Sequence, residues 1–214
     1  MLSVCGLFCM SAVVVAGGVS KRFGQDKGLV MLAGKPLILH VLDRLDAVID
    51  DVVVVVNSEE QKRKFAAVAG QKARVVVDKA NVQSPLVGAL AGFESVKCEY
   101  TLLSACDTPF LSTQMLSLLL DVCVGKNAAI PRWPNGNIEP LHAVYHAKTA
   151  TEAARTALGE SKRDMRSMIA NMRNIRYIST LALQQFDPKL NTFFNINTPN
   201  DLQRAEAFIR FHNH

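Results

Sequence analysis

Runs of apolar, largely β-branched residues recur along this chain, and each stops abruptly at glycine or a polar side chain. Val13, Val14 and Val15 follow one another without polar alternation and end at Gly17 and Gly18. A strand covered on both faces reads this way, as in a parallel sheet, whereas a half-exposed strand alternates. Asp51 to Val56, Ala73 to Val77 and Thr101 to Cys106 repeat the pattern and close on Asn57, Asp78 and Asp107. Helical spacing separates them: Leu37, Val41, Leu42 and Leu45 behind Pro36, which can occupy a first helical turn, then Lys62 to Ala69, Leu86 to Val96 behind Ser84-Pro85, and Met115 to Val124. This succession predicts an α/β fold with a mostly parallel sheet and right-handed crossovers.

The second half is less regular. Ala129 to Arg132 predicts a strand, residues 133–137 a Pro/Asn/Gly turn, and Ala143 to Tyr145 a further strand. Helical stretches follow at Thr149 to Leu158 and Lys162 to Ala170; Phe193 to Asn197 reads as a short strand, and Thr198 as the cap of a last helix, Leu202 to Phe211. With no linker-like composition, repeat or low-complexity tract, a single domain over 1–214 is expected.

Composition narrows the function classes. With 49% hydrophobic and 20% charged residues the chain is not disordered. A net charge of +5, from 24 basic and 19 acidic residues, suits anionic ligands. No Lys/Arg block interleaved with aromatics stands out, so no nucleic-acid partner is expected. The uncharged N-terminus lacks a basic leading region, is interrupted by Gly6 and Ser11, and runs directly into the glycine loop. It reads as part of a cytoplasmic, soluble domain with no membrane partner. Five scattered cysteines, with Cys5 and Cys9 lacking a second ligand pair, read as reduced and mostly buried thiols.

Candidate chemistry concentrates after the first strand, where Gly17, Gly18 and Gly24 keep the backbone open and Ser20, Lys21, Arg22 and Lys27 supply a hydroxyl and positive charge. That is the chemistry of a polyphosphate cradle. It is neither a Walker A loop nor a G-x-G-x-x-G fingerprint, because the spacings differ. In parallel sheets the ligand crevice lies outside the carboxyl ends of the strands, and Gly17, Asn57, Asp78 and Asp107 all fall there. His142 and His146 have no third ligand nearby and read as edge or core histidines.

Five segments in order, AGGVSKRFGQDKG (16–28), SPLVGAL (84–90), CDTPF (106–110), EPLHAVY (139–145) and FFNINTPNDL (193–202), resemble the molybdenum cofactor guanylyltransferases of the nucleotidyltransferase superfamily. The resemblance implies a Rossmann-like three-layer α/β/α domain that transfers GMP from GTP to molybdopterin and releases pyrophosphate. It implies catalytic roles for Lys27, Arg22 and Asp107, and Mg2+ held by Asp107. Asn197 is either a second metal oxygen or a turn residue. Nucleotide contacts are expected from Val15, Ala16, Gly17, Gly18, Ser20, Lys27, Pro85, Leu86 and Asp107. Asn57 and Asp78 either face the nucleoside or simply end their strands, and Gly88 either approaches the nucleotide or packs. Between Lys148 and Arg176 seven basic residues stand against three acidic ones, as a solvated helix face or as a surface for the pterin, the proteins of cofactor synthesis or an acceptor molybdoenzyme.

Two other readings stay open: a related nucleotidyltransferase using CTP or another phosphorylated acceptor, and a nucleotide-binding regulator without catalysis. Intact Lys27 and Asp107 disfavour the regulator. The Ala16-Gly17-Gly18 start favours guanine by family analogy, Gly18 being expected to leave room for a purine.

Overall fold

The valine runs form the centre of a seven-stranded sheet in a computed structural model that describes residues 9–17, 19–20, 22–78 and 83–212. Strand β1 (Met10–Val15) is followed by two short hairpins, β2 (Val19–Ser20) with β3 (Gln25–Asp26) and β4 (Met31–Leu32) with β5 (Lys35–Pro36). Then come α1 (Leu37–Leu45), β6 (Asp51–Val56), α2 (Glu59–Ala69), β7 (Arg74–Val77), α3 (Pro85–Ser95), β8 (Tyr100–Ala105) and α4 (Thr113–Cys123). The second half adds β9 (Ala128–Arg132), β10 (Ala143–His146), α5 (Ala147–Gly159), α6 (Met165–Ala170), β11 (Ile175–Ser179), α7 (Thr180–Leu183) and α8 (Pro199–His212).

The strand order is β11-β9-β10-β8-β1-β6-β7, and only β10 runs against its neighbours. Alternate residues of the same runs enter opposite layers: Ala12, Val14, Val54 and Val56 pack with α1, α2 and α4, while Val13, Val53 and Val55 pack with α3, α5 and α6. All seven of these side chains are fully buried. Each valine buried in this way contributes roughly 1.5 kcal/mol or more, which is why polar alternation is missing.

Serine caps set the helix starts: Ser58, Ser84 and Ser112 accept from the backbone N–H three residues on. Thr198 and Asp201 cap each other reciprocally at α8, as the sequence predicts for Thr198.

Several expectations are corrected. Pro36 stands at the N-cap of α1 rather than in its first turn. Helix α6 begins only at Met165, because the Asp164 carboxylate accepts from Ser167 N–H and caps it there. Residues 193–197 form no strand; a tight turn at Asn191–Phe193 leads into an extended connection whose Ile196 N–H donates to the Asp107 carbonyl at 3.0 Å. Strand β11 has no counterpart in the sequence reading. Cys9 and Cys98 are joined in a disulfide, Cα to Cα 5.2 Å, rather than reduced. They stand one and two residues before Met10 and Tyr100, which are paired across β1 and β8, a proximity that only strand order reveals. Cys106 and Cys123 are free and buried, and burial pushes the Cys123 thiol up to about 12. Among the described residues no helix is long and apolar enough to cross a membrane.

Candidate active site

Strands β1, β6, β7 and β8 run parallel, so their carboxyl ends bring Gly17, Asn57, Asp78 and Asp107 to one edge. A cleft of about 500 Å³ opens there. Val15, Ala16 and Gly17 form its wall at the end of β1, Asn57 stands beside them, and Pro85 presents the start of α3.

Its floor is ionic. Lys27 follows β3 in a tight turn, and its ammonium donates to the Asp107 carboxylate and, at 2.5 Å, to Asn197 Oδ1. The three side chains come from positions far apart in sequence. The bond from Ile196 N–H to the Asp107 carbonyl explains the third, because it ties the connection before α8 to the end of β8. Lys27 is 22% and Asp107 9% exposed, so the pair is shielded on the protein side and reachable from the cleft. Arg22 lines the same cleft from the loop between β2 and β3. Gly24, at that loop's tip, has φ of +65°, a left-handed conformation that favours glycine.

Asp107 and Asn197 thus aim two oxygens at one cationic point, the donor chemistry a hard divalent ion takes together with phosphate oxygens and water. No group of three or more His, Cys, Asp or Glu side chains suited to a metal occurs among the described residues. Any ion here would therefore complete its shell with substrate.

Other predicted residues fall elsewhere. Leu86 is fully buried in the core, and Gly88 faces the Val15 side chain, where a Cβ would lie 3.0 Å from Cγ1; both pack α3 on the sheet rather than line the cleft. Asp78 is buried at the end of β7, its N–H donating to the Val56 carbonyl, and does not line the cleft. Gly18, Lys21 and the Ser20 side chain lie outside the described residues. His142 is a core histidine, 2% exposed and edge-on to Phe193, and His146 caps α5 and pairs with Glu99. Of the segment 139–145, only Leu141 reaches the cleft. Gln83 and Cys106, which the sequence reading missed, also line it. Gln83 stands just before the Ser-Pro helix start, and that position was its only signal.

Residues 12–176 match the family model of the MobA-like NTP transferase domain. The chain is 35% identical to a probable molybdenum cofactor guanylyltransferase of Natronomonas pharaonis, covering 91% of this chain and 96% of that protein. It is 33% identical to a molybdenum cofactor guanylyltransferase of Desulfosudis oleivorans, covering 94% and 96%. The crystal structure of molybdopterin-guanine dinucleotide biosynthesis protein A from Archaeoglobus fulgidus superposes with a TM-score of 0.81 at 30% identity, covering 94% of this chain and all of that one.

Proposed function

The chain belongs to the MobA-like NTP transferase domain family, and we propose that it transfers GMP from GTP to the terminal phosphate of molybdopterin carrying molybdenum. In this reaction an acceptor phosphate oxygen forms a bond to the α-phosphorus. The bond from that phosphorus to the oxygen bridging it to the β-phosphorus breaks, and pyrophosphate leaves with the electron pair. A phosphomonoester has its second pKa at about 6, so the acceptor is already ionised near neutrality and the site needs no general base. It needs positive charge and alignment, which dominate catalysis of phosphoryl-type transfer.

One observation carries this reading: Lys27, Asp107 and Asn197 converge on the floor of a cleft whose wall is the Gly17 turn. Lys27 and Arg22 offset charge on the triphosphate and on departing pyrophosphate. Asp107 and Asn197 would hold Mg2+, which when bound neutralises phosphate charge. Asn57, at the base of the wall, is the nucleoside contact.

The acceptor side lies beyond the cleft, where strands β9 and β11 meet helix α6. There Arg132, Arg166 and the half-exposed Tyr177 line a groove of about 530 Å³, with the Arg132 guanidinium 5.6 Å from the Tyr177 ring centre. Two guanidinium groups and an aromatic face suit a flat, anionic pterin. Much of the basic run behind it is already engaged: Arg155 with Glu94, Lys162 with Glu160 and Arg176 with the Val122 carbonyl.

A pyrophosphate-release assay with molybdenum-loaded molybdopterin and each of four nucleoside triphosphates tests the proposal. Acceptor-dependent release with GTP well above CTP supports it. Release favouring CTP or needing another acceptor would replace it with the neighbouring transferase reading, and binding without release with the regulator.

A further inference from the structure

We propose that Gln61 is a positioning residue that fastens the Lys27 loop to the Asn57 end of β6, fixing the spacing between the groups that meet phosphate and the groups that meet nucleoside. The proposal rests on the nucleotidyl-transfer reading for its catalytic consequence, and on the geometry alone for the fastening.

Helix α2 opens with Ser58-Glu59-Glu60-Gln61, and Ser58 Oγ accepts from Gln61 N–H at 3.1 Å. In an ordinary capping box the side chain at this third helical position returns to the N–H of the capping residue itself. Here Gln61 Oε1 reaches one residue further back and accepts from Asn57 N–H at 2.8 Å. The other end of the same amide, Nε2, donates to Asp26 Oδ1 at 2.7 Å. Gln61 and Asp26 are each 7% exposed, so both bonds are shielded from water.

Asp26 immediately precedes Lys27, and on the other side Gly28 presses against α2: a Cβ there would lie 2.8 Å from Phe65 Cε1. Gln61 and Phe65 are four residues apart and share one face of the helix. Lys27 is therefore held between two consecutive contacts with α2, and the helix is bonded through Gln61 to the backbone of Asn57. Lys64 reaches Asp26 Oδ2 only at 3.7 Å and from the solvent side.

The residue type matters because a carboxamide donates to a carboxylate at one end and accepts from an N–H at the other, whereas a carboxylate only accepts. Glutamate at 61 still caps the helix and still accepts from Asn57, yet it sets a carboxylate against Asp26. Exchanging the two chemistries, Asp26→Asn with Gln61→Glu, restores a donor facing an acceptor.

The test compares wild type, Gln61→Glu and the exchanged double variant in steady-state GTP kinetics and in hydrogen exchange over residues 22–29 without nucleotide. Gln61→Glu is expected to remain folded, to lose kcat/KM by about tenfold to a hundredfold with a higher KM for GTP, and to exchange faster over 22–29; the double variant is expected to recover most of both. A helix-cap role alone predicts Gln61→Glu indistinguishable from wild type. A general stability role predicts a lower kcat at unchanged KM and no rescue by the exchange. Either result overturns the proposal, as does unchanged exchange over 22–29. If Gln61→Glu does not fold, the double variant decides alone: near-wild-type exchange and kinetics support the fastening, and their loss overturns it. The exchange readout needs no turnover, so a wild type that releases no pyrophosphate counts against the assigned reaction and leaves the fastening to be judged by exchange.

Discussion

Gly17 lies against the side chain of Asn57 so closely that a Cβ on Gly17 would overlap the Asn57 amide. The two residues end adjacent parallel strands, β1 and β6, and the contact explains why a glycine is needed where the first strand stops. It moves the steric argument for base choice from Gly18, which lies outside the described residues, to Gly17.

Gly17→Ala is expected to fold, since only a partly buried amide must shift, but to displace Asn57 from the cleft wall. The kcat/KM for GTP should fall by about tenfold or more, and the GTP-over-CTP ratio should narrow. Unaltered kinetics with both nucleotides would remove Asn57 from the nucleotide site.

Lys27→Ala withdraws one fixed charge from the cleft floor and should lower kcat by on the order of a hundredfold or more. Steady-state kinetics distinguish the roles. A raised KM for GTP at unchanged kcat would make Lys27 a ground-state anchor instead.

The Cys9–Cys98 disulfide spans 89 residues. Closing a loop of that length removes about 4 to 5 kcal/mol of chain entropy from the unfolded state, and reduction should lower Tm by roughly 10 °C for a chain of this size. Activity should persist, because the bridge precedes β1 and β8 at the edge opposite the cleft. Melting curves with and without dithiothreitol check this, and Cys98→Ser should follow the reduced curve. Superimposable curves would mean that the thiols are not joined in solution. In a reducing compartment the pair is held as thiols, so this stabilisation depends on where the protein resides.

His142 is buried against Phe193 with no hydrogen-bond partner for either ring nitrogen among the described residues, and burial lowers its pKa from 6.5 to about 4. The unfolded chain binds this proton more readily than the folded one. The associated stability is therefore complete above pH 6.5 and is lost as pH falls from 6.5 to 4, a difference of roughly 3 kcal/mol. Denaturant unfolding across that window should show a shallower decline for His142→Leu than for wild type. Equal slopes would mean that the imidazole reaches water.

The central sheet was legible because its strands are buried on both faces and their valine runs admit no other reading. The convergence of strand ends followed, since a parallel sheet places every carboxyl end on one edge, although only Gly17, Asn57 and Asp107 of the four line the cleft and Asp78 does not. Strand β11 was not legible: Ile175, Arg176, Tyr177, Ile178 and Ser179 lie at the sheet's edge, partly exposed, and carry no apolar run. Phe193 to Asn197 looked like a strand because Phe193, Phe194 and Ile196 are large and apolar, but Ile196 N–H donates to the Asp107 carbonyl in isolation and the segment enters no ladder. Asn197 stood out in the sequence only as either a metal oxygen or a turn residue, because its nearness to Lys27 is a product of that bond. Gln61 escaped notice because helical spacing is apparent only from Lys62, which leaves the glutamine outside the helix, whereas α2 begins at Glu59.

The most direct measurement follows label from α-phosphate-labelled GTP into the pterin dinucleotide, with wild type and Asp107→Ala assayed side by side in the presence of Mg2+ and molybdenum-loaded molybdopterin. Wild type should form labelled dinucleotide with release of pyrophosphate. Asp107→Ala should fold, because a carboxylate at a strand end adds little to the core, and should form essentially none. Labelled product from Asp107→Ala at a rate near wild type would contradict the placement of the reaction on the Lys27, Asp107 and Asn197 floor, and no product from wild type would contradict guanylyl transfer itself.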